Sequence, residues 1–186
     1  MPRSSTVDAW GSSAHERALT YPCDALLDAP DRVLFRAIDV AAPSGLVFRW
    51  VCQLRVAPYS YDWVDNFGRR SPRRLIDGLD QLEVGQRFII FRLTSFEPGR
   101  SITLDSTTAL FGRVVMTYMV TATTSETSRL VAKLAYVAPR GLRAAVMRRI
   151  LPAGDLVMMR KQFLTWRALA ERDAREAERR PTGRFS

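Results

Sequence analysis

The sequence predicts an α+β domain built from one antiparallel sheet with its helices, the last of them long, on one face. Three features carry that prediction. Four consecutive runs between Arg87 and Val137 alternate with period two and are joined by short polar turns. After Gly154 the apolar spacing changes to three and four and stays there to about Glu178. An opening strand and a short amphipathic helix precede the alternating runs, so strands and helices are segregated rather than interleaved.

Residues 1–30 are rich in Ser, Ala and Asp and lack a period. They are expected to form a flexible lead-in, with Trp10, Tyr21 and Leu26-Leu27 able to dock on the domain at 31–178. Val33 to Val40 is β-rich and stops at Ala41-Ala42-Pro43. Both of its faces carry apolar residues. Pro43-Ser44 opens a helix whose Leu46, Val47, Trp50, Val51 and Leu54 fall on one face. Pro58 to Gly68 reads as an aromatic loop (PYSYDWVDNFG) with room for a short helical turn. Ser71-Pro72 is expected to start a short helix through Leu79.

Arg87 to Thr94 is expected as one strand with Ile89, Phe91 and Leu93 on one face. Pro98-Gly99 turns the chain, and Ile102 and Leu104 share a face of the next strand. Phe111-Gly112 interrupts before Arg113 to Thr123, which puts Val114, Met116, Tyr118 and Val120 together. After a turn at Thr123 to Ser128, the last strand sets Ala132, Leu134 and Tyr136 inward. A helix from Gly141 to Ile150 is expected to break or kink at Pro152-Ala153-Gly154. Asp155 then caps a long helix with the stripe Leu156, Met159, Phe163, Trp166 and Ala170. Residues 179–186 read as a disordered basic tail.

Composition removes several function classes. The chain has 186 residues, 47% hydrophobic and 25% charged, which suits one globular domain. His15 is the only histidine, and Cys23 and Cys52 lie in no metal-binding or redox spacing. A His-dependent triad and a multi-His metal site are therefore not expected, nor is a cofactor motif found. No apolar run approaches the roughly 18–20 residues that span a bilayer, and the N-terminus does not read as a secretory signal, so a cytoplasmic protein is expected. The net charge is +9, of which +7 lies between Arg140 and Ser186. A solvated helix face with a basic tail explains this charge. The same face is also the one an interaction module would use. Nucleic acid is not otherwise called for, contact with a membrane surface stays open, and the oligomeric state is unassigned.

The element order, Ala42-Pro43 before Val47-Phe48-Arg49-Trp50, the string Tyr59-Ser60-Tyr61-Asp62-Trp63 and the late Gly154-Asp155-Leu156-Val157-Met158-Met159-Arg160 together resemble the START-like superfamily. These proteins are also called SRPBCC or Bet v 1-like, and the resemblance covers about residues 32–175. Within it the chain is similar to actinobacterial members, some described as polyketide cyclase/dehydrase-like. The resemblance implies a helix-grip fold, a curved antiparallel sheet wrapped around the long C-terminal helix with an apolar cavity between them, and binding of a lipid, polyketide, sterol-like or aromatic ligand. It does not imply catalysis, because the superfamily mixes carriers, sensors and enzymes. No motif carries a catalytic set across.

The expected partner is thus a hydrophobic small molecule held by named walls. The sheet offers Ile89, Phe91, Leu104, Met116, Tyr118, Leu134 and Tyr136, and the helix offers Met159 and Phe163, with Met158 beside them. Tyr59, Tyr61 and Trp63 are placed at the mouth. The alternative for each wall residue is ordinary core packing. The alternative for the loop is structural, with Trp63 plugging the core and Asp62 or Asp65 pairing with nearby arginines. Binding as carrier or sensor is the first reading. A cyclase or dehydratase, with Asp62 or a tyrosine as acid or base, is the second.

Overall fold

The computed structural model describes residues 7–61, 70–109, 112–138 and 142–179, with residues 142–151 described by their backbone. The readings of Asp62, Trp63 and Asp65 in the aromatic loop, of Phe111, of Gly141 and of the tail from Arg180 lie outside these residues.

The strands are β1 (Ala9–Trp10), β2 (Arg32–Val40), β3 (Arg87–Phe88), β4 (Phe91–Glu97), β5 (Ser101–Thr108), β6 (Gly112–Ala122) and β7 (Ser128–Val137). The longer helices are α2 (Ser44–Cys52) and α3 (Leu142–Arg179), and a short α1 spans Ala14–Ala18. The sheet order is β1-β2-β7-β6-β5-β4-β3. β4 to β7 form the expected meander, β2 returns to pair antiparallel with β7, and β1 adds a parallel edge.

Alternation decides which side chains reach the main core. Ile102, Leu104, Met116, Tyr118, Val120, Leu130, Ala132, Leu134 and Tyr136 point to one face and pack with α2 and α3. On β2, Leu34, Ile38 and Val40 join them, while Phe35 and Ala37 face away. Arg36 shares the inward face by the same period and is 1% exposed. The α3 stripe buries Met159, Phe163, Trp166 and Ala170, as its spacing predicts.

Four local expectations are corrected. Arg87 to Thr94 is not one strand. It folds back as a hairpin, with Phe88 opposite Phe91 and Ile89-Ile90 as the two-residue turn. Ile89 sits at φ +57°, a conformation that a β-branched residue adopts at a cost of about 1–3 kcal/mol. No Gly or Asn marks the turn, so the string reads as plain alternation. Residues 70–86 contain no helix despite Ser71-Pro72. Helix α3 runs unbroken through Pro152, and Asp155 lies inside it rather than at its cap. Arg36 meets α3 just past the proline: its guanidinium donates to the Pro152 carbonyl and pairs with Asp155.

The fourth correction concerns residues 9–26, which carry β1, α1 and a 3-10 turn at Pro22–Leu26. None is long enough to leave a readable period. Trp10 packs on Phe163 of the main core, while Tyr21 and Cys23 cover the outer face of the sheet against Phe35, Ala37, Val115, Val131 and Ala135. Gly11 makes this approach possible: its φ is +72°, and an added Cβ would lie 2.1 Å from the Ala37 carbonyl oxygen. Lys133 stands 5.3 Å from the Tyr21 ring centre and pairs with Asp24.

Glu16 ties this segment to β7. It completes the Ser13 capping box and accepts from Arg129 Nε at 2.7 Å. The Arg129 hydrogen bond holds its carboxyl down at about 2, from an ordinary 4.5. A lowered folded-state pKa means the contribution is present above pH 4.5 and is lost as pH falls toward 2. Denaturant melts at stepped pH should therefore show the wild type losing more stability across that window than Glu16→Gln. Parallel curves would show that this pair carries none of the acid sensitivity.

Candidate functional site

The inner face of the sheet and α3 do not close completely on one another. Between them lies a cavity of about 470 Å³. β6 supplies Val114, Met116 and Tyr118, β7 supplies Leu134, and β5 supplies Ser106 and Thr108. Met116 and Leu134 are cross-strand partners, so they form one continuous patch of wall. The Ile89-Ile90 turn and Phe91 form a second side. Leu54, Pro58 and Ser60 close a third. α3 contributes Gly154, Asp155, Met158, Met159 and Gln162.

Among the residues expected at the site, Ile89, Phe91, Met116, Tyr118, Leu134 and Met159 thus line one cavity. Leu104, Tyr136 and Phe163 share the inward face but are fully buried behind the wall. Period two assigns a face, whereas depth depends on how far α3 stands off each part of the sheet. Tyr59 is not at the mouth. It is 1% exposed, with its ring 5.9 Å from Trp50 and 6.2 Å from Trp166. Its φ of +58° turns the chain so that neighbouring Pro58 and Ser60 reach the cavity instead. Tyr61 is on the surface and off the wall. Trp63 is outside the described residues.

The polar groups of the wall were missed at the sequence level. Asp155 and Gln162 are seven residues apart on α3, and with Met159 between them they share one helical face. That signal was present but was overridden by reading Asp155 as a cap. The Tyr118 hydroxyl donates to Gln162 Oε1 at 2.9 Å, and Gln162 Nε2 donates to the Pro58 carbonyl at 2.6 Å. Ser106 donates to the Ile90 carbonyl at 2.8 Å, which holds the strained turn against β5. Arg36 Nη2 donates to Asp155 Oδ2 at 2.6 Å.

Electrostatics follow from burial. The Tyr118 phenol is pushed far above its usual range by desolvation, so it stays a neutral donor. Burial raises the Asp155 carboxyl to about 6, and Arg36 opposes that shift. Cys52 is pushed up to about 12 and Cys23 also upward, both by burial, so neither thiol is an available nucleophile. His15 is exposed on α1, on the outer side of the sheet. Among the described residues, no cluster of His, Cys, Asp and Glu could hold a metal, and no helix is long and apolar enough to cross a membrane. Part of the basic C-terminal charge is engaged within the domain. Arg160 lies over the Trp10 ring at 5.9 Å, and Arg172 binds Asp173 and the Arg73 carbonyl.

No protein-family model matches the sequence. No curated protein matches it either. Solved structures do resemble the fold. A protein of Chromobacterium violaceum has a TM-score of 0.50 at 12% identity, covering 75% of this chain and 98% of its own. A protein of Mesorhizobium loti has a TM-score of 0.49 at 17% identity, covering 76% and 98%. The Zhui aromatase/cyclase of Streptomyces sp. R1128 has a TM-score of 0.48 at 14% identity, covering 82% and 98%. At these identities the likeness concerns the fold alone. A mostly antiparallel seven-stranded sheet with a long C-terminal helix packed on it is a helix-grip arrangement.

Proposed function

We propose that the chain binds a hydrophobic small molecule, of lipid, polyketide or aromatic type, in the cavity between the sheet and α3, as a carrier or sensor. The observation that carries this reading is the cavity itself. Its volume of about 470 Å³ falls within the roughly 300–1,000 Å³ of ligand pockets, and its wall is mostly apolar with a few placed polar groups. Met116, Met158 and Met159 supply a polarizable lining that adapts to irregular ligands. Proteins of this fold bind hydrophobic ligands or act as aromatase/cyclases.

An enzymatic reading is favoured by one observation. Asp155 is a buried carboxyl on the cavity wall with a pKa near neutrality, about 6, as an acid–base group requires. With His15 on the outer side and both thiols buried, such chemistry would rest on Asp155.

Native mass spectrometry of the purified protein tests the binding reading. The expected result is a non-covalent hydrophobic adduct that is released on denaturation. In a Met116→Trp/Leu134→Trp variant, which puts two indoles across the middle of the cavity, the adduct should be absent while the melting temperature is kept. A bare mass for the wild type that persists after incubation with a lipid extract would contradict the proposal.

A further inference from the structure

Resting on the cavity reading, we infer that the Asp155–Arg36 pair is the polar anchor of the cavity. The ligand it selects is a neutral or cationic amphiphile with a hydrogen-bond donor, a hydroxyl or an amine, at one end of an apolar body. A ligand ending in a carboxylate is disfavoured.

A buried ion pair is a weak source of net stability. Withdrawing two charges from water costs several kcal/mol per ion, and apolar replacements of similar volume are often as stable or more so. Arg36 nevertheless sits among apolar neighbours on the inward face of β2, 1% exposed, between Leu34 and Ile38. Its guanidinium is fixed from behind by the Phe35 carbonyl at 2.8 Å and the Pro152 carbonyl at 3.5 Å. Arg36 is not part of the cavity wall, whereas Asp155 is. The carboxylate therefore stands between the guanidinium and the ligand space, and it is the carboxylate that the ligand meets.

Arg36 takes Oδ2 of Asp155 at 2.6 Å, and among the described residues the carboxyl has no second partner. Its side chain is 10% exposed, so Oδ1 is left as an acceptor at the wall. Three of the wall's side-chain donors are engaged within the wall. The Tyr118 hydroxyl is on Gln162, Gln162 Nε2 is on the Pro58 carbonyl, and the Ser106 hydroxyl is on the Ile90 carbonyl. A ligand donor at Asp155 completes a buried, charge-assisted hydrogen bond. A ligand carboxylate there would face a like charge, with the nearest cation shielded behind it.

Three probes that share one ring system separate the possibilities: naphthol, methylnaphthalene and naphthoate. Each is titrated calorimetrically into the full-length protein, buffered well above the Asp155 pKa of about 6. The wild type should bind naphthol about tenfold or more tighter than methylnaphthalene, the gain from one hydrogen bond to a charged group. Naphthoate should bind weakest. In Arg36→Met/Asp155→Leu, which removes both charges together, the preference for naphthol over methylnaphthalene should vanish. Naphthoate binding as tightly as naphthol, or a naphthol preference that survives the double substitution, would overturn the inference. The wild-type ranking decides the matter even if the double variant fails to fold. Methylnaphthalene binding without discrimination refutes the anchor alone, whereas no binding of any probe refutes the cavity reading itself.

Discussion

Arg36→Met should destabilise the protein by about 3–5 kcal/mol, because it leaves the buried Asp155 carboxylate without its partner. Asp155 reaches no other cation among the described residues. The loss is a large fraction of the roughly 5–15 kcal/mol that holds a domain of this kind together. Adding Asp155→Leu should restore most of it, since the burial penalty then disappears along with the attraction. The pH dependence has a definite sign. Burial already raises the folded-state pKa of Asp155 from 3.8 to about 6 against the pull of Arg36. A raised folded-state pKa means the protonated form favours folding below about pH 4, and that advantage is lost as pH rises through about 6. Without Arg36 the upward shift grows. The deficit of Arg36→Met should therefore shrink as pH falls from neutrality toward 5, and urea denaturation at stepped pH reads it directly. A deficit below about 1 kcal/mol at neutral pH would mean that the pair is far better solvated than its burial indicates.

Trp166→Ala should cost about 3–5 kcal/mol, the range for removing a buried aromatic side chain. Trp166 is fully buried on α3, and its ring lies 5.6 Å from Tyr118, 6.1 Å from Phe163 and 6.2 Å from Tyr59. These contacts make it the hub that sets how far α3 stands off the sheet. Its indole N–H has no acceptor among the described residues, so Trp166→Phe gives up packing but no hydrogen bond and should cost much less. Equal losses for the two substitutions, measured by urea denaturation, would mean that the indole nitrogen rather than the ring mass holds the site together.

The sheet was legible where alternation is unbroken and both neighbours are strands, as in β6 and β7. Met116, Tyr118, Leu134 and Tyr136 all face inward as their period requires. The hairpin at Ile89-Ile90 was not legible, because the packing of Ile89 and Phe91 on the core sustains a positive φ that local chemistry disfavours. Tyr59 was misplaced for a related reason: its positive φ rotates the ring away from the mouth and into the Trp50–Trp166 cluster. Asp155 was recognised but given the wrong task. Pro152 and Gly154 look like a helix break, and only the partner on β2, 119 positions away in sequence, shows that the helix continues. Arg36 was legible as a charge in an apolar strand, but its face could not be chosen while both faces of Val33 to Val40 looked apolar. The N-terminal segment escaped because elements of two to five residues carry no period.

The most direct measurement of the central claim is a fluorescence titration with N-phenylnaphthylamine, a neutral probe that brightens in apolar surroundings. The wild type should show a saturable enhancement at one probe per chain. Met116→Trp/Leu134→Trp, with unchanged stability, should weaken it at least tenfold. No enhancement in the wild type, or the same enhancement in both proteins, would contradict a ligand cavity between the sheet and α3.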